Sequence, residues 1–235
     1  MLGNCKFIDL THDLHSGVPT WSGEAEFETE ILKDYPNCGY RLHQYTLRKA
    51  GVGTHFDSAS HFFQNGRTVL EYELRELIVP ACVLNVTKQA RLSADYQISI
   101  EDIEKWEQAN GRIPENSLFI AYTGWEYFWS NREKYLNKDP NGIRHFPGFS
   151  KDAAEILLSR KVVGLGIDAL SPDPGNSQTF DVHRCFLGGG KYLLENLCNL
   201  SKLPPSGAWI LTLPLKVRDG SEAPARVVGV ISTEH

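Results

Sequence analysis

Short apolar runs, rich in β-branched and aromatic residues, recur along the chain with polar, Gly or Pro breaks between them. Seven of them predict strands, at residues 27–32, 42–47, 78–86, 118–122, 162–167, 208–212 and 225–231. Helical spacing is rarer. Ser99 can cap a helix that carries Ile100, Ile103 and Trp106 on one face. Ser150 can cap a second, carrying Ala153, Ile156, Leu157 and Arg160, with Asp152 near its positive end. A third is expected from Asp181 through His183 to Leu187; Gly188, Gly189 and Gly190 stop it, and residues 192–200 are expected to resume it. Residues 125–149 are aromatic and polar with Pro140 and Pro147, and read as a long excursion of the kind that covers active sites. The order of elements favours a mixed α/β or α+β domain over a regular alternating sheet. Neither a linker nor an internal repeat divides the sequence, so residues 1–235 are expected to form one domain.

Composition narrows the class. The 235 residues suffice for a sizeable core, and 41% hydrophobic with 23% charged residues is an ordinary globular balance. The net charge of -5 and a pI near 5.9 come without a basic stripe, which argues against a nucleic-acid partner. No apolar stretch reaches the roughly 18 residues of a membrane span. The start, Met1 to Lys6, lacks the basic and apolar regions of a signal peptide, so a cytoplasmic protein is expected. The five cysteines are scattered, without a CxxC pair; they read as reduced thiols and exclude a zinc ribbon.

The densest chemical signal is Gly51-Val52-Gly53-Thr54-His55-Phe56-Asp57-Ser58-Ala59-Ser60-His61. On extended chain, His55 and Asp57 point to the same face and could offer a metal one imidazole and one carboxylate. Gly51 and Gly53 let the backbone turn beside an ion, and His61 follows close by. Read from the residues alone, a metal site and an ordinary hydrogen-bonded His–Asp pair both remain open. His12, His15, His43, His145 and His235 show no partner pattern and read as satisfied polar or surface residues.

The segment resembles the His-x-Gly-Thr-His-x-Asp-x-Pro-x-His signature of the cyclase-like metal-dependent hydrolases, the family of bacterial kynurenine formamidase and isatin hydrolase. Further stretches are similar to that family in the same order: Ile8–His12, Pro19-Thr20-Trp21-Ser22-Gly23, the segment from Gly164 through Asp168 to Asp173, Val182-His183, and Leu194-Glu195-Asn196-Leu197. The resemblance implies a single α/β domain of the swivelling β/β/α type, a mixed sheet with flanking helices, assembling as a homodimer or homotetramer. It also implies hydrolysis of an amide, aryl formamide, cyclic amide or lactone by metal-activated water. In that scheme His55 is a metal ligand, Asp57 and Glu195 are carboxylates able to bridge two ions, and His183 is a ligand to the second ion. His61 is the acid/base catalyst, and Trp21 contacts a planar or aromatic small-molecule substrate. Two positions depart from the signature. Ala59 replaces its proline, which loosens a turn. Gly51 replaces its first histidine, which removes a ligand; one divalent metal per chain, Mn2+ or Zn2+, is therefore expected rather than two. Alternatives are a metal-dependent cyclase or dehydratase, and a non-catalytic small-molecule-binding member of the family.

Overall fold

The apolar runs become strands because successive side chains find cores on opposite faces of a sheet. In the computed structural model, which describes residues 4–233, the strands are β1 (Cys5–Asp9), β2 (Phe27–Lys33), β3 (Leu42–Leu47), β4 (His55–Asp57), β5 (Ile78–Asn85) and β6 (Gln97–Ile98). They continue as β7 (Leu118–Tyr122), β8 (Gly148–Phe149), β9 (Gly164–Ile167), β10 (Tyr192–Glu195), β11 (Ala208–Pro214) and β12 (Glu222–Ser232). Eight of them form one mixed sheet in the order β1-β12-β11-β5-β7-β9-β10-β4. The pairs β5–β7, β7–β9 and β9–β10 are parallel, and β4 joins β10 antiparallel. The first three residues of β12 also pair with β4, so the sheet closes on itself.

The parallel strands are buried on both faces, which explains their nearly continuous apolar sequence. One face carries Phe56, Leu118, Ile120, Leu194, Ile210 and Val227 into one core. The other carries Phe119, Leu165, Ile167 and Leu193 against helices. Those helices are Ile100–Asn110, Lys151–Ser159 and Asp181–Gly188, contributing Ile103, Trp106, Ala153, Leu157, Val182 and Phe186. The Ser99 and Ser150 side chains accept from Asp102 N and Ala153 N as N-caps, each worth about 1 kcal/mol. This is the mixed sheet with flanking helices that the sequence predicts, and among the described residues no helix is long and apolar enough to cross a membrane.

Two expectations fail. Residues 192–200 do not resume a helix: β10 occupies Tyr192–Glu195. Tyr192 and Leu194 face one core and Leu193 the other, a period of two that only a strand satisfies. Asn196 and Asn199 then adopt left-handed φ values of 55° and 58°, which end any regular element. Residues 125–149 do not roof a site either. Trp125, Tyr135 and Phe146 are buried in the helix-side core, where the Trp125 indole donates to Tyr135 O at 2.9 Å. The excursion reaches towards the site through Arg144, whose guanidinium stacks on Trp21 at 4.1 Å.

Candidate active site

The site is built on the closure of the sheet. In β4, Phe56 turns into the core while His55 and Asp57 turn towards helix Asp181–Gly188. The antiparallel register sets Glu195 opposite His55 from β10, and Glu222 opposite Asp57 from β12. Directly opposed residues share a face of the sheet. Two adjacent strands therefore bring carboxylates to β4 from opposite sides, and His183 descends from the helix above.

Hydrogen bonds aim both buried imidazoles. His55 Nδ1 donates to Gly53 O at 2.9 Å, which leaves Nε2 facing the centre. The same Gly53 carbonyl accepts from Asn196 Nδ2 at 2.9 Å. Gly53 has a φ of +67°, and a β-carbon there would strike the Leu14 side chain, so glycine is required at this turn. His183 Nδ1 lies 2.6 Å from Asp173 Oδ2, and Asp173 also accepts from the backbone N–H groups of Val182 and His183. Holding Nδ1 in this way fixes the tautomer of a metal-binding imidazole.

The four central groups are spaced as ligands are. His55 Nε2 stands 3.4 Å from Asp57 Oδ1 and 3.3 Å from Glu195 Oε2. His183 Nε2 stands 3.5 Å from Asp57 Oδ2 and 3.4 Å from Glu195 Oε1. Each carboxylate thus turns one oxygen to each imidazole. Ligands about 2.1 Å from a tetrahedral ion are separated by roughly 3.4 Å. Asp57 Oδ1 is buried and has no hydrogen-bond partner, an orphaned acceptor that a cation would satisfy. Burial disfavours the His55 cation, yet Asp57 and Glu195 outweigh it and push its pKa up to about 10. His183 is raised in the same way against its burial by Asp173, Asp57 and Glu195. Burial would raise Glu195, but His183 and His55 hold it down. The cluster demands positive charge, and the residues present fit a divalent cation.

His61 ends a 3-10 turn, Ala59–His61, and stands at the rim. Its Nδ1 is 3.2 Å from Glu222 Oε2, and its ring centroid is 6.0 Å from that of His183. Burial opposes its protonation, but Glu222 and Asp57 raise its pKa overall. Trp21, His55, Asp57, His61, His183 and Glu195, all expected from sequence, line one cavity of about 580 Å³. Phe62, Phe180 and Leu170 add apolar walls, and Glu26 and Lys49 stand as an ion pair at 3.2 Å.

Sequence reasoning missed two contributors. Asp173 lay within a quoted segment, but its role needed the His183 contact to be seen. Glu222 opens β12 far along the chain, and no spacing links it to Asp57. Of the other histidines, His145 pairs with Asp95 at 2.9 Å, and His235 lies outside the described residues. His12 is half-buried and not fully satisfied: it stacks on Trp129 at 3.9 Å with its Nε2 buried and unpartnered, and burial lowers its pKa to about 4.

Residues 8–174 match the family model described as "Putative cyclase". The chain is 30% identical to the isatin hydrolase of Roseibium aggregatum, across 97% of this chain and 93% of that protein. It is 25% identical to the kynurenine formamidase of Bacillus mycoides, across 95% and 96%. Among solved structures it is similar to isatin hydrolase A from Ralstonia solanacearum, with a TM-score of 0.91 and 29% identity over 97% of this chain and 93% of that one. An isatin hydrolase bound to the product analogue thioisatinate aligns with a TM-score of 0.92 and 26% identity, over 98% and 94%.

Proposed function

Because this chain belongs to the cyclase family of metal-dependent hydrolases, we propose that it hydrolyses the carbon–nitrogen bond of an amide, aryl formamide or cyclic amide, or the related bond of a lactone. The observation that carries this reading is the shared presentation of Asp57 and Glu195, one oxygen to each imidazole, at the wall of a cavity that also holds His61.

In this reading His55, Asp57 and Glu195 hold the tightly bound divalent metal, and His183 faces the second oxygen of each carboxylate as the ligand of a weaker position. A bound cation of that kind would polarise an acyl carbonyl as a Lewis acid and would bring the pKa of a water down towards about 7. The donor set combines imidazole with several carboxylate oxygens, which suits Mn2+ as well as Zn2+. One tightly held cation per chain is proposed. His61 takes a proton from the attacking water and returns it to the leaving nitrogen or oxygen. Glu222 Oε2, beside Nδ1, orients that imidazole and leaves Nε2 for the transfer. Trp21, Phe62 and Phe180 receive a planar acyl substrate, the compound class shared by the aryl formamides and cyclic aryl amides. An indole and two phenyl rings present broad apolar faces with little rotamer freedom to lose.

Self-association as a homodimer or homotetramer is also proposed. The β2–β3 hairpin exposes Ile31, Leu32, Leu42 and Tyr45, apolar side chains that a second copy would cover. A cytoplasmic setting fits five scattered cysteines without a CxxC pair. The chain is further proposed to unfold as one domain, since one sheet carries both cores. The functional test is a screen of aryl formamides, cyclic aryl amides and lactones with and without added Mn2+ or Zn2+. Metal-dependent water addition to at least one class is expected. A stoichiometric metal with no turnover on any class would favour a binding protein, and loss of water a cyclase.

A further inference from the structure

Gly51 stands where the family signature has a histidine, yet the space its side chain would enter is not empty. A β-carbon built on Gly51 would overlap Glu222 Oε1 and come within 3.2 Å of His55 Nε2. Glu222 arrives there from β12, in register with Asp57, so its approach is fixed by the sheet. Its neighbour Ser221 reinforces that approach, its carbonyl accepting from Ser58 N at 2.9 Å and from Ser58 Oγ at 2.7 Å. Single donor atoms of His55, Asp57 and Glu222 all lie within 4.8 Å of one another. Asp57 Oδ1, the Asp57 oxygen that faces His55 Nε2 at 3.4 Å, is the buried acceptor without a partner.

We propose that Glu222 is a metal ligand of this chain, supplying through Oε1 the donor that Gly51 lacks, so that the cation on the His55 side is held by His55, Asp57, Glu195 and Glu222. The proposal rests on the metal-dependent reading of the site and specifies its ligand set. The two substitutions are coupled: a side chain at 51 and the carboxylate of Glu222 compete for one volume, and this chain fills it from β12. With His61 assigned to proton transfer, the His183 side keeps three donors, His183, Asp57 and Glu195, so the His55 side is the tighter position. Exchanging a neutral imidazole for a carboxylate makes that position more anionic and richer in oxygen, which favours harder cations such as Mn2+. Glu222 Oε2 remains 3.2 Å from His61 Nδ1, so the same carboxylate ties the cation position to the proton-transfer group.

The test is Mn2+ and Zn2+ affinity and stoichiometry, by calorimetry and elemental analysis, on the dialysed full chain. Glu222→Ala should weaken the tighter site by about 100-fold, the upper end of what even outer partners of metal ligands contribute. Glu222→Gln, which keeps the shape and one neutral oxygen, should fall between the two and covers the case in which the alanine variant does not fold. Gly51→His with Glu222→Ala should recover tight binding, with preference shifted towards Zn2+. Unchanged affinity and stoichiometry in both single variants would overturn the ligand assignment and leave the hydrolase reading standing. Failure of the unmodified chain to bind either metal would overturn both.

Discussion

Asp173 Oδ2 lies 2.6 Å from His183 Nδ1, and the same carboxylate accepts from the backbone N–H groups that begin the helix bearing His183. One buried residue therefore sets both the position of the helix and the direction of the imidazole. Asp173→Asn keeps the shape but loses the charge. It should lower metal affinity at the weaker, His183-side position by about 10–100-fold, the usual contribution of such partners. Calorimetric titration of the dialysed variant with Mn2+ checks this, and wild-type affinity would show that Asp173 serves the helix alone.

His61 is the candidate for proton transfer. His61→Ala should keep the fold and the metal while lowering kcat by about 10²–10⁴-fold. Metal content and kcat measured on the same preparation separate the roles. Loss of the metal would make His61 a ligand, which its position near Asp57 and His183 allows.

The Trp21 ring is 38% exposed at the cavity, tilted against Phe180 at 5.8 Å. Trp21→Ala should raise KM for aromatic substrates more than it lowers kcat. Equal effects on aromatic and aliphatic substrates would reduce Trp21 to a packing element, held by Arg144.

Much of this was legible in the sequence because its causes are local. The short runs rich in apolar and aromatic residues at 42–47 and 118–122 marked β3 and β7, and the Ser99 and Ser150 caps marked helix starts. The period of two placed His55 and Asp57 together. Glu195 and His183 came through family resemblance, because their approach depends on which strands and helix pack beside β4. Glu222 was illegible for the same reason: its place follows from the closure of β12 on β4, which only the folded sheet reveals. The run at 192–200 misled because a strand buried on both faces shows no polar alternation, and its length resembles a helix.

Glu126 predicts a pH effect on stability. Burial and the neighbouring Asp168 push its carboxyl from 4.5 up to about 7. The folded protein then keeps a proton that the unfolded chain releases between those values. The stabilisation is complete below 4.5 and is lost as pH rises through 7. Glu126→Gln retains an oxygen to accept from Asn199 N and removes the ionisation. Thermal melts should show variant and wild type alike at pH about 4 and the variant more stable at pH about 8. A constant difference across that range would contradict the assignment.

The central claim is that the β4 carboxylate, faced by both imidazoles, holds the catalytic metal. The most direct measurement is elemental analysis of Asp57→Ala beside the unmodified chain, purified and dialysed together. The account predicts close to one tightly bound divalent cation per wild-type chain and little or none in the variant, since removing Asp57 takes one oxygen from each imidazole's side. Equal metal content in the two proteins would contradict it.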